Sequence, residues 1–253
     1  MQNLKNIHTE ILAIIPARAG SKRIPDKNIK RLAGRPLVEY TILSAVHCEQ
    51  IAHIVISSNI PSLRRYEEHH GHLSYHPRPE VLCGDEVGDY DVINDVLQSY
   101  GYDWDLIAYL RPTTPIRADY HLTGAIGAML AINDATGLRS VEEMSESAYK
   151  CFEMNGPRLF PVTGMAGIDM TDWPNQQVNK TYRPNGYIDL ARPQIIRTGQ
   201  LWGKHVIGYV TPRTVEIDTP EDWEYAEYIM RRYVDAPMRY GKTEIKARGA
   251  EIV

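Results

Sequence analysis

Arg18, Lys22, Arg23 and Lys27 are crowded, together with Gly20 and Asn28, into one short segment that directly follows the apolar run Ile11-Leu12-Ala13-Ile14-Ile15. Guanidinium and ammonium groups at that density oppose phosphate charge, and a glycine lets the backbone approach a phosphate closely. The chemistry this favours is the holding of a triphosphate. A solvated basic turn is the plainer alternative, but Pro16 and Pro25 bracket the segment and restrict it, which suits a preformed cradle. The spacing lacks both the Walker pattern and G-x-G-x-x-G, so neither a P-loop nucleotidase nor a dehydrogenase is indicated. Far downstream, Glu216 and Asp218 alternate about Ile217; on an extended segment both carboxylates point to one side. Paired hard oxygen donors suit Mg2+, which keeps several of its waters. The alternative for this pair is helix capping, because Thr219-Pro220 opens a helical pattern with Asp222 in its first turn.

These groups need rigid elements to position them. Ile11 to Ile15 reads as a strand buried in a parallel sheet, so the basic segment is a loop at a strand's carboxyl end, where open α/β sheets bind ligands. Leu37 to Val46 reads as the crossover helix, His53 to Ser58 and Leu73 to His76 as strands, and Leu63 to His70 as a helix. Another helix begins at Asp91 to Leu97. Leu106 to Leu110 is a central strand, and the proline-bounded Pro112 to Arg117 is a second loop on the same sheet edge. Val206 to Val210 is a strand. Strands alternating with helices predict an α/β fold with a mostly parallel sheet flanked by helices. From about 138 to 185 the rhythm fades, and a smaller β-rich excursion is expected within a single domain spanning 1–253.

A chain of 253 residues with 43% hydrophobic and 24% charged residues is long enough for one sizeable core and has the composition of a soluble globular protein. The formal net charge of -4, with the cations local rather than spread along a face, argues against nucleic acid as a partner. Cys48, Cys83 and Cys151 are odd in number and lack C-x-x-C spacing, so they read as reduced thiols. No run approaches membrane-spanning length and Met1 to Glu10 is polar, so a cytoplasmic protein without a membrane partner is expected. His69, His70, His72 and His76 lack the spacing of a preformed metal site, and Trp173, Trp202 and Trp223 read as core.

The segment Ile14 to Asn28 resembles the signature loop of the acylneuraminate cytidylyltransferase family, the CMP-sialic acid synthetases. Arg78-Pro79-Glu80 with Gly84-Asp85, Leu110 to Arg117, Arg183-Pro184-Asn185-Gly186 and Glu216-Ile217-Asp218-Thr219 follow in the family's order and approximate spacing. The resemblance implies a Rossmann-like sheet of the nucleotide-diphospho-sugar transferase type, with the excursion serving as a dimerisation arm. It implies an enzyme that transfers CMP from CTP to the anomeric hydroxyl of a sialic-acid-like nonulosonic acid, with Mg2+ as cofactor. Related transfer from CTP or GTP to an octulosonic acid, a sugar 1-phosphate or a phosphonate is the nearest rival; a noncatalytic nucleotide-binding protein is another.

Carried over residue by residue, Arg18, Lys22 and Lys27 would contact the CTP phosphates, and Arg18 or Lys27 would stabilise charge building on the leaving pyrophosphate. Asn28 would contact the nucleotide and Arg78 would read the cytosine edge. Glu216 and Asp218 would hold the metal, with Asp218 also catalytic, and Glu216 stands where the family carries an aspartate. Arg111, Arg117, Arg183, Asn185 and Asp189 would frame the pocket for the acidic sugar. Two of these depart from the family: Arg111 replaces a common Gln and Asp189 a common Tyr.

Overall fold

A computed structural model describes residues 9–162 and 168–234, except the side chains of Met170, Tyr233 and Val234; the N-terminal residues 1–8 lie outside that range. Strand β1 (Ile11–Pro16) occupies the middle of the main sheet, and Ile11 to Ile15 are fully buried. Its side chains alternate between two cores, as the pleat requires. Ile11, Ala13 and Ile15 face helices α1 (Leu37–Val46) and α3 (Asp119–Ala131), meeting Val38, Ile42, Leu122 and Ile126. Leu12 and Ile14 face α2 (Asp89–Tyr100) and the short α4 (Pro193–Ile196), meeting Val92, Ile93, Val96 and Ile196. A strand covered on both sides must be apolar throughout, and this one is.

Between β1 and α1 lies a small hairpin, β2 (Arg31–Leu32) and β3 (Arg35–Pro36). Strands β4 (Ile51–Ser58), β5 (Leu73–Pro77) and β6 (Leu106–Tyr109) extend the parallel part, with β1 paired to both β4 and β6. Beyond β6 come β7 (Gly137–Glu143), β10 (Tyr182–Ala191) and β11 (Val206–Val210). The order is β11-β7-β10-β6-β1-β4-β5, and β10 runs antiparallel to both neighbours. The sheet is therefore mixed but mostly parallel, in the expected α/β class. Outside it, β8 (Phe152–Asn155) and β9 (Arg158–Pro161) form a separate hairpin, and α5 (Pro220–Val234) closes the described chain.

Three expectations change. Pro61–Tyr66 is a 3₁₀ helix, not an α-helix over 63–70. Only Leu63 and Tyr66 are buried there, a three-residue spacing that matches the 3₁₀ repeat and leaves nothing to anchor a longer α-helical face. The excursion is narrower than 138–185, because β7 and β10 belong to the main sheet. Trp173 is 46% exposed rather than core, whereas Trp223 is 5% exposed and packed. His76 is buried and paired with Asp95 at 2.7 Å.

A third cluster matters most for the site. Ile24 from the basic loop, Leu32 and Leu37 pack with Ile217, Trp223, Ala226 and Met230. A leucine or isoleucine side chain fully buried in it contributes about 1.5–3 kcal/mol. This cluster draws the segment before α5 against the loop after β1, across most of the chain's length.

Candidate active site

The basic loop is held from behind by backbone and amide contacts. Gly20 has φ +80°, a left-handed conformation that favours glycine. The Ala19 N–H donates to Asn59 Oδ1 at 2.7 Å, and Asn28 Nδ2 donates to the Arg18 carbonyl at 2.8 Å. Asn28 is only 6% exposed, so it shapes the loop as well as lining the cleft. Arg18 donates to the Cys83 carbonyl at 2.9 Å and pairs with Asp85, which also takes Lys22; each Asp85 contact is 2.5 Å. Lys22 and Arg18 pull the Asp85 carboxyl below its usual range. Arg78 is buried, with Nε on Ser57 Oγ at 3.1 Å and Nη2 on the Ser57 carbonyl at 2.8 Å, and burial lowers its pKa. Arg18, Lys27, Asn28, Arg78 and Arg111 line one cleft of about 200 Å³.

The acidic segment meets this loop. Ile217 donates its N–H to the Thr113 carbonyl at 2.8 Å and buries its side chain completely, which turns Glu216 and Asp218 the other way. Lys27 Nζ donates to the Ile217 carbonyl at 2.8 Å and to Asp218 Oδ1 at 3.1 Å, with its side chain 13% exposed. Burial raises the Glu216 pKa, Asp218 raises it further, and Arg111, Lys27 and Arg183 offset part of this. Two half-compensated carboxylates on one side of an extended segment are a donor set of hard oxygens that fits Mg2+. Among the described residues no third His, Cys, Asp or Glu joins a metal cluster, so phosphate oxygens and water would complete the shell.

The capping alternative is satisfied by a different residue. Asp222 accepts from the Asp218 and Thr219 N–H groups at 3.1 and 2.8 Å, while Thr219 Oγ1 accepts from the Asp222 N–H at 3.2 Å. This reciprocal box starts α5 and leaves the Asp218 carboxylate to Lys27. Replacing Asp222 with Ala is expected to cost about 1 kcal/mol, read as a lower midpoint in denaturant unfolding, and to loosen Asp218.

The residues assigned to the acceptor divide into three groups. Arg117 is a correction: it is buried and spends its donors on the Tyr187 carbonyl (2.8 Å), Thr41 Oγ1 (3.4 Å) and the Arg111 carbonyl (3.3 Å). Burial pushes its pKa down to about 10, so it stays charged and acts as a strut. Asn185 is likewise internal, accepting from Ser140 Oγ and donating to Thr211 Oγ1, both at 2.7 Å. Arg183 is open, its side chain 56% exposed and paired at 2.6 Å with the buried Glu142. Arg111 and Asp189 touch each other: Nη1 bonds Asp189, Nη2 bonds Asp89, and Arg139 Nε reaches the other Asp189 oxygen at 3.4 Å. Register shifts between Pro184 and Asp189 on β10. The resulting bulge places Gly186 (φ +62°) where a Cβ would lie 3.4 Å from Arg111 Cδ and 3.5 Å from Glu216 Oε1. Asp89, Arg139 and Glu142 were not legible as site residues; for Asp89 the only signal is an acidic first turn of a helix.

The sequence profile described as Cytidylyltransferase matches residues 12–110. The chain is 30% identical over 236 residues to the CMP-N,N'-diacetyllegionaminic acid synthase of Legionella pneumophila, covering 87% of this chain and 96% of that protein. It is 26% identical over 233 residues to the N-acylneuraminate cytidylyltransferase of Escherichia coli, covering 89% of this chain and 53% of that one, so it spans about half of that longer relative. The solved structure of CMP:2-keto-3-deoxy-manno-octonic acid synthetase complexed with CTP superposes with a TM-score of 0.66 at 15% identity, over 88% of this chain and 99% of that one. A 4-diphosphocytidyl-2C-methyl-D-erythritol synthase from Anaerococcus prevotii gives 0.64 at 12%, over 89% and 100%. The two structures share the fold. By the near full-length match to the Legionella protein, the chain belongs to the acylneuraminate cytidylyltransferase family.

Proposed function

We propose that the chain transfers CMP from CTP to the anomeric hydroxyl of a sialic-acid-like nonulosonic acid and releases pyrophosphate. The observation that carries this is the Lys27 bridge, which joins the basic loop lining the cleft to Asp218. The acceptor oxygen attacks the α-phosphorus as the anhydride bond to the leaving pyrophosphate breaks. Arg18, Lys22 and Lys27 oppose the polyphosphate charge, with Lys27 or Arg18 on the leaving group. Arg78, its guanidinium fixed by Ser57, reads the cytosine edge, beside Asn28. Glu216 and Asp218 would hold Mg2+, which supplies charge neutralisation to the phosphates when bound. Arg183, exposed on its outer side although its Nε and Nη2 both bond Glu142, is the guanidinium we assign to the sugar's carboxylate.

We also read the protein as a cytoplasmic homodimer. The arm supports this: Met154, Leu159, Phe160 and Trp173 are each at least 46% exposed there, an apolar surface that a second subunit would cover. Among the described residues no helix is long and apolar enough to cross a membrane. The test is purified protein with CTP, Mg2+ and a panel of nonulosonic and octulosonic acids. Pyrophosphate release that requires all three components and is fastest with a nonulosonic acid is expected; no release with any acid overturns the reading.

A further inference from the structure

Four charges form a linear chain that starts at the cleft wall and runs inward: Asp89, Arg111, Asp189 and Arg139. Arg111 spends Nη1 on Asp189 and Nη2 on Asp89, and Asp189 shares its other oxygen with Arg139. Two carboxylates balance two guanidiniums. An incoming carboxylate therefore finds no uncompensated charge on Arg111. Access differs sharply along the chain. The Asp189 side chain is 0% exposed and Arg111 18%, whereas Asp89 is 37% exposed and lines the cleft. Arg139 is also occupied on its other face, stacked over Trp202 at 4.9 Å. Asp89 is pinned as well as open: it is the first residue of α2 and accepts from Arg111 Nη2. What a ligand meets at this wall is thus a fixed carboxylate with spare lone pairs, which takes O–H or N–H donors and repels anions. CTP brings its charge to the opposite, cationic loop.

We propose that Asp89 reads a hydroxyl or amide N–H donor on the acceptor sugar, and that Arg111 is a positioning residue for Asp89 rather than a receptor for the acceptor's carboxylate. This rests on the cytidylyl-transfer reading and deepens it. The acceptor favoured is an acid bearing a hydroxyl or acylamino group on the side facing Asp89, with its carboxylate directed elsewhere.

The experiment is steady-state kinetics on the full chain, with the acid that the unmodified protein uses best. Asp89→Ala is expected to raise the acceptor KM on the order of tenfold or more and to leave the CTP KM within about twofold. Asp89→Asn, which keeps the volume and one accepting oxygen, falls between. Arg111→Gln raises the acceptor KM in the same direction, and the double variant Asp89→Ala/Arg111→Gln is no worse than the more impaired single, because the two act as one unit. Unchanged thermal unfolding of Asp89→Asn shows that the effect is not a folding loss. An acceptor KM that falls in Asp89→Ala would mean that the aspartate competes with a substrate carboxylate for Arg111, and one that stays constant that it does not contact the acceptor; either overturns the inference alone. Additive losses in the double variant, or a CTP KM rising in step, overturn it too. No turnover by the unmodified protein overturns the cytidylyl-transfer reading and this inference with it.

Discussion

Lys27→Met is expected to lower kcat/KM for cytidylyl transfer by roughly 10²–10³-fold, the scale of losing one preorganised charged donor at a site of developing charge. The ammonium has three donors, and two are engaged, on the Ile217 carbonyl and Asp218. The third remains for a phosphate oxygen in the cleft that Lys27 lines. Methionine preserves the buried stem, so packing against the loop survives while the charge is lost. The Ile217 carbonyl then lacks a partner, a cost of about 1–3 kcal/mol, so a modest fall in thermal stability accompanies the loss of turnover. Lys27→Arg should rescue only poorly: its planar fork needs a different geometry from a compact ammonium held between a carbonyl and a carboxylate. Turnover of Lys27→Met within a few fold of the unmodified protein would remove Lys27 from the leaving-group role.

What the sequence disclosed, and what it hid, follows from the range of the interactions. Strand β1 and helix α1 are set by local pattern, an unbroken apolar run and a helical repeat, and both form where expected. The turn chemistry at Thr219 and Asp222 is equally local and folds as a capping box. Helix α3 carried a usable signal in Leu122, Ala125, Ile126 and Met129, although its mid-helix glycines, Gly124 and Gly127, dilute it. Strand β10 was hidden because Arg183-Pro184-Asn185-Gly186 has turn composition; in the fold those residues enter and build a bulge within the strand. Burial of charge was the hardest to foresee. Nothing in the spacing of Arg111 and Arg117 says that one clamps two carboxylates while the other braces carbonyls from within. That difference comes from β10 lying beside β6, a contact between segments far apart in the chain. The same contact explains why Arg111 and Asp189 act as one feature: each charge makes the other tolerable in a buried position.

Glu216→Gln separates function from stability in opposite directions. Turnover at fixed Mg2+ should fall roughly 10²-fold or more, as one of two anionic oxygens for the cation is lost, with partial recovery as Mg2+ is raised. The metal-free protein should become more stable at neutral pH. Burial, followed by the neighbouring Asp218, holds the Glu216 pKa above the carboxylate's ordinary value, so the folded chain favours the protonated form. That preference adds stability below the unfolded-state pKa and is lost as pH rises through the raised folded value. At neutral pH the ionised Glu216 is therefore a net cost, and a neutral amide of the same shape escapes it. The gain in unfolding temperature should be present near pH 7 and vanish toward about pH 4, where glutamate is protonated in both states. Saturating Mg2+ should reverse the order, because a cation that binds only the folded state stabilises the unmodified chain more than the variant. Equal unfolding temperatures with and without the metal in both proteins would remove Glu216 from the cation site, and equal turnover would remove it from the reaction.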